Sequence, residues 1–85
     1  MSKKHILLVE DEENLLKTIR LNLELEGYEV SIARSGIEAL NEFKKENFNL
    51  IILDVMLPEM NGFDVCEQIR KENTKVPVLF LTAKG

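Results

Sequence analysis

The sequence has one cysteine, Cys66, one histidine, His5, and two prolines among its 85 residues. A lone cysteine excludes an internal disulfide and points to a reducing compartment. A lone histidine makes no metal site, and the start of a strand accounts for His5. The first apolar run, Ile6-Leu7-Leu8-Val9, stops at Glu10. That is too short for a membrane span or a signal-peptide core. There is no excess of positive charge. Eleven Lys and Arg stand against 15 Asp and Glu, a net charge of −4, whereas a nucleic-acid surface needs a basic patch. There is also no G-x-G-x-x-G or P-loop lysine motif for a nucleotide. The chain reads as soluble and cytoplasmic, with no membrane or nucleic-acid partner.

What is present suits one small globular domain spanning residues 1–85. The composition is 45% hydrophobic, too apolar for a disordered chain. A chain of this length buries only roughly 60–65% of its unfolded surface, so the core is thin.

Residues 6–9, 50–53 and 78–81 are short continuous apolar runs. Such runs suit strands covered on both faces. Residues 28–33 alternate instead, as in a half-exposed edge strand. Between these lie three helical patterns. Residues 12–26 carry Leu16, Ile19 and Leu23 on one face, with Leu15 alongside, Asp11 as N-cap and Gly27 as the stop. Ser35 caps a second helix whose buried face holds Ile37, Leu40 and Phe43. Phe63, Cys66 and Ile69 mark a third helix. Pro77 opens the last strand, a place where proline is tolerated. The order β-α-β-α-β-α-β predicts an α/β fold. It is a doubly wound parallel sheet of strand order 2-1-3-4, with helices on both faces and right-handed crossovers.

In such sheets ligands bind beyond the carboxyl ends of the strands, where strand order reverses. Glu10 and Asp11 follow the first strand, and Asp54 ends the third. The order 2-1-3-4 makes those strands neighbours, so three carboxylates meet. Two carboxylates about 4 Å apart repel by roughly 4 kcal/mol at an effective dielectric near 20. A proton or a cation relieves this, and an all-oxygen site of this kind suits Mg²⁺. A metal beside an exposed aspartate is the equipment for an aspartyl phosphate. Taken singly, these residues have plainer uses. Glu10-Asp11-Glu12-Glu13 also serves as a helix cap and acidic first turn, and Asp54 as a strand-end turn residue.

The stretches ILLVEDE, LIILDVMLPEMNGFDV and VPVLFLTAKG together resemble the receiver domain of bacterial two-component response regulators, with its flavodoxin-like fold. The resemblance runs along the whole chain. It implies that Asp54 accepts a phosphoryl group from a histidine kinase. It implies that Glu10 and Asp11 hold Mg²⁺ together with Asp54 and the backbone carbonyl of Met56. Thr82 then bonds the phosphoryl oxygen, Ala83 leaves room for it, and Pro58 and Gly62 shape the loop after the acceptor. The D-V-M-L-P wording is similar to that of receivers preceding winged-helix DNA-binding outputs. The chain is expected to be a phosphoacceptor and not an enzyme. Phosphatases with an aspartate nucleophile want a second Asp where Met56 stands.

Receivers of this kind have five strands and five helices. The chain is therefore expected to be a truncated receiver, lacking the last helix-strand-helix portion. With that portion go the strand-five lysine and an aromatic switch residue; Lys84 is not that lysine. Phosphorylation is then expected to be impaired. Strand four becomes an apolar edge, and a homodimer through antiparallel strand-four pairing is expected. The alternative is a non-catalytic dimerisation module, or a fragment of a longer regulator.

Overall fold

The computed structural model describes residues 3–81. Four strands, β1 (His5–Val9), β2 (Glu29–Ala33), β3 (Leu50–Asp54) and β4 (Val78–Leu81), alternate with α1 (Glu13–Leu25), α2 (Gly36–Lys45) and α3 (Gly62–Glu72). The sheet is parallel throughout, in the order β2-β1-β3-β4. This is the predicted doubly wound, flavodoxin-like arrangement.

The continuous apolar runs of β1 and β3 are explained by burial on both faces, whereas in β4 no residue is fully buried and Leu79 is 54% exposed. Leu7, Val9, Ile51 and Leu53 pack with Ala39 of α2 and with Val65 and Ile69 of α3. Ile6, Leu8 and Ile52 pack on the other side with Leu16 of α1. Each fully buried aliphatic side chain contributes about 1.5–3 kcal/mol of transfer free energy. β2 is an edge strand with only Ala33 fully buried, which accounts for its alternating pattern.

The helix ends follow local chemistry, with one correction. Glu12, not Asp11, is the N-cap of α1, its carboxylate accepting from the Leu15 amide at 2.7 Å. At the other end Gly27 adopts φ 99°. Its amide donates to Glu24 O and that of Tyr28 donates to Leu23 O, closing a Schellman turn. Ser35 caps α2 and Asn61 caps α3.

Ile37, expected on a buried face, lies outside the core, and so does Phe63. Ile37 is 49% exposed and Phe63 is 59% exposed. The reason is the close approach of α2 and α3. A Cβ on Gly36 would stand 2.8 Å from Val65 Cγ2 and 3.0 Å from Met60 Cβ. The phase of each helix is set by that contact. It turns Gly36 and Ala39, and Gly62, Val65 and Ile69, inward. Ile37 and Phe63, one step along, rotate outward. Cys66 is half-buried against the same core. Among the described residues, no helix is long and apolar enough to cross a membrane.

Candidate functional site

β1 and β3 are hydrogen-bonded neighbours with Val9 in register with Leu53. Their carboxyl ends therefore release Glu10, Asp11 and Asp54 at one place. Each offers a carboxylate oxygen, and these oxygens lie within 4.8 Å of one another. Glu10 and Asp54 are buried, while Asp11 is exposed. The Glu10 amide continues the β1 ladder to Ala33 O at 3.0 Å. Its carboxylate accepts from the Glu12 amide at 2.9 Å. Glu12 thus holds two jobs, fixing Glu10 with its amide and capping α1 with its side chain.

Burial raises the Glu10 carboxyl above the ordinary carboxylate range, and the nearby charges of Asp54 and Asp11 raise it further. The Glu12 amide opposes this only in part. The ion pairs among the described residues are His5–Glu46, Arg20–Glu24, Arg34–Glu13 and Lys45–Glu42. None reaches the three clustered carboxylates. Two buried acids and a third beside them, without a cation among the described residues, fit a hard divalent ion bound through oxygen. All three acids expected to hold Mg²⁺ are brought together.

The loop after Asp54 is shaped around it. The Met56 amide makes a long contact with Asp54 Oδ1, 3.4 Å, while the Met56 side chain is largely exposed. Gly62 donates from its amide to Val55 O at 2.8 Å. Between them Met60 donates to Pro58 O at 2.7 Å, closing a three-residue turn around Glu59 at φ 71°. Thr82 and Ala83, expected at the phosphoryl group, lie outside the described residues.

One pairing near the site has no counterpart in the sequence reading. Arg34, just after β2, donates from Nε and Nη2 to the Glu13 carboxylate at 3.1 and 3.2 Å. This tie joins the β2–α2 connection to the first turn of α1 and holds the Glu13 carboxyl below its ordinary range. The Arg34 amide also donates to Glu38 Oε1, while the Glu38 amide donates to Ser35 Oγ. The Ser-x-x-Glu spacing of residues 35 and 38 was the available signal for a cap of this kind.

Comparison with known proteins agrees with this geometry. A family model described as the response regulator receiver domain matches residues 6–85. The alkaline phosphatase synthesis transcriptional regulatory protein PhoP of Bacillus subtilis is 48% identical over 84 residues, 99% of this chain and 35% of PhoP. This chain thus spans about a third of the length of such curated relatives. The non-phosphorylated HemR receiver domain of Leptospira biflexa superposes with a TM-score of 0.91 at 45% identity, covering 96% of this chain and 66% of that one. The response regulator TrrA of Thermotoga maritima, solved with Mg²⁺ and BeF, gives 0.91 at 39% identity, covering 96% and 71%. TrrA has also been solved in complex with the histidine kinase ThkA, and there the TM-score is 0.89. With its fold, its acidic cluster and the family match in agreement, this chain belongs to the response regulator receiver domain family.

Proposed function

We propose that the chain is an Mg²⁺-dependent phosphoacceptor of two-component signalling and that Asp54 is the acceptor. The observation that carries this reading is the convergence of Glu10, Asp11 and Asp54 within 4.8 Å. A carboxylate oxygen of Asp54 attacks phosphorus, the bond to the donor breaks, and an acyl phosphate forms on the side chain. With a histidine kinase as donor, the bond broken is P–N and the imidazole leaves. Mg²⁺, when bound, neutralises charge on the phosphoryl oxygens. Glu10, Asp11, Asp54 and the Met56 carbonyl are its protein ligands in this reading. Thr82 and Ala83 contact the phosphoryl group. The chain takes up a phosphoryl group and does not turn over a substrate, so it is a signalling module and not an enzyme.

Further support comes from TrrA, solved with Mg²⁺ and BeF and with a histidine kinase. The same reading places the chain in the cytoplasm, gives it a histidine kinase as partner and pairs two copies through β4. Nucleic acid is not a partner of these residues, given a net charge of −4.

The test is intact-protein mass after incubation with acetyl phosphate and Mg²⁺, beside Asp54→Asn. One phosphoryl adduct on the native chain and none on the variant is the expected result. Labelling that survives in Asp54→Asn would put the acceptor elsewhere. No adduct and no Mg²⁺ binding would leave a receiver fold kept for assembly alone.

A further inference from the structure

Two successive residues at the end of β2 hold both ends of the segment that supplies two of the three acids. Ala33 accepts from the Glu10 amide at 3.0 Å. Arg34, the next residue, grips the Glu13 carboxylate through Nε and Nη2 at 3.1 and 3.2 Å. Residues 10–13 therefore form a short bridge, fastened to one strand end at its first and last residues. Asp11 lies inside it, exposed and without an ion pair among those described.

Arg34 is itself held. Its amide donates to Glu38 Oε1 at 2.9 Å, and the Glu38 amide donates to Ser35 Oγ at 3.1 Å. The anchor thus belongs to the capped start of α2. Its planar fork spans both oxygens of one carboxylate, so it fixes direction as well as distance. Glu13 opens α1, directly after Glu12. The Glu12 amide donates to Glu10 Oε2 at 2.9 Å, and the Glu12 side chain caps the helix. A shift in the first turn of α1 therefore moves the donor that orients Glu10, and with it the main chain of Asp11.

We infer that Arg34 is a positioning residue for the Mg²⁺ ligands. Acting through Glu13, it sets the first turn of α1, and so places Asp11 and the Glu12 amide that orients Glu10. The inference rests on the metal reading of the three acids proposed above. It adds to that reading a residue that touches none of them. Groups behind a metal's ligands tune its affinity by orienting those ligands.

Arg34 acts on a bound cation in two ways of opposite sign, and the sign of the change tells them apart. As a charge, a guanidinium near the site repels Mg²⁺, so its removal would tighten binding. As an anchor it holds ligands in place, so its removal loosens binding. The Arg34 charge is already paired with Glu13, and the two side chains are 50% and 49% exposed, so solvent screens its reach. Positioning is the larger effect, about threefold in the Mg²⁺ dissociation constant, within the scale of an exposed ion pair.

Calorimetric Mg²⁺ titration of the 85-residue chain tests this. Arg34→Met is expected to bind Mg²⁺ about threefold more weakly. Arg34→Lys keeps the charge without the fork, and is expected to fall between that variant and the native chain. In a Glu13→Gln background Arg34→Met is expected to add nothing. Arg20→Met breaks another half-exposed pair of α1, Arg20–Glu24, and is expected to leave Mg²⁺ affinity unchanged. Unchanged or tighter binding by Arg34→Met, a loss that persists in full on Glu13→Gln, or an equal loss in Arg20→Met would each overturn the inference. Hydrogen exchange in EDTA reads the same link without metal. The Glu12 amide is expected to exchange faster in Arg34→Met, and an unchanged rate would overturn the inference as well. A native chain that binds no Mg²⁺ would overturn the metal reading and the inference together, which distinguishes that failure from loss of the inference alone.

Discussion

Gly62 stands against the main chain of Asp54 so closely that a Cβ on it would strike the Asp54 carbonyl oxygen. Its amide donates to the carbonyl of Val55, the next residue, at 2.8 Å. The start of α3 is thereby pinned to the end of the strand that carries the acceptor. Glycine is required here for space, because its backbone conformation lies outside the left-handed region.

Gly62→Ala is accordingly expected to destabilise the fold by about 1–3 kcal/mol, the usual cost of forcing atoms into a packed site. It is also expected to weaken Mg²⁺ binding, because the main chain of Asp54 must shift. Gly27→Ala makes the contrast. Gly27 has open space around a Cβ but a φ of 99°, so its cost is conformational, about 1–2 kcal/mol, and Mg²⁺ affinity stays unchanged. Urea unfolding and Mg²⁺ titration of both variants separate the two causes. Equal Mg²⁺ affinity in Gly62→Ala and the native chain would show that the contact does not position the site.

Glu10 makes metal-free stability depend on pH. Its folded-state carboxyl is raised, first by burial and then by Asp54 and Asp11. Over the interval from its ordinary value of 4.5 to the raised one, the folded chain holds more protons than the unfolded chain. Stability from this group is therefore full below the unfolded value and is lost as pH rises through the folded one. Glu10→Gln removes the titration. It is expected to stabilise the metal-free chain at neutral pH and to flatten the loss above pH 4.5. Thermal melts across pH in EDTA give the answer. A slope identical to that of the native chain would exclude Glu10 as its source.

Mg²⁺ is expected to raise the melting temperature of the native chain. A ligand bound only to the folded state adds about 2.7 kcal/mol at a hundredfold its dissociation constant. Asp11 is exposed and makes no ion pair among those described. Asp11→Asn is therefore expected to leave the EDTA melt within about 0.5 kcal/mol of the native one while removing most of the Mg²⁺ response. A full response in the variant would remove Asp11 from the ligand set.

The sheet was legible because a parallel strand covered on both faces has no polar positions. Residues 6–9 and 50–53 could hardly be anything else once short helical patterns separated them, and residues 78–81 carry the same pattern although Leu79 is 54% exposed. The meeting of Glu10, Asp11 and Asp54 followed from strand order alone. Helix phase was less legible. Ile37 and Phe63 have the apolarity and spacing of core residues, but the contact of Gly36 with Val65 decides which face turns inward, and that contact is tertiary. The cap of α1 was ambiguous for a local reason. Four consecutive acids follow Val9, and the one that caps is settled by Glu10 being drawn into the pocket. The positive φ at Glu59 has no signal in its residue type at all.

That last feature supports a prediction of opposite sign to those for Gly62 and Gly27. Glu59 holds φ 71° in a turn closed by the Met60 amide on Pro58 O. A side chain in the left-handed region costs about 1–2 kcal/mol, whereas glycine loses roughly 0.5–1 kcal/mol in extra chain entropy. The two effects oppose each other, and relief of strain is the larger. Glu59→Gly is expected to raise stability by up to about 1 kcal/mol, and Glu59→Val to lower it, since a β-branched residue fits this region worst. Because the turn lies between Asp54 and Gly62, labelling rates measured beside urea midpoints would show whether its strain also serves the acceptor. A more stable Glu59→Gly that labels more slowly is expected if the held turn positions the loop; equal rates would mean the strain is incidental to the chemistry.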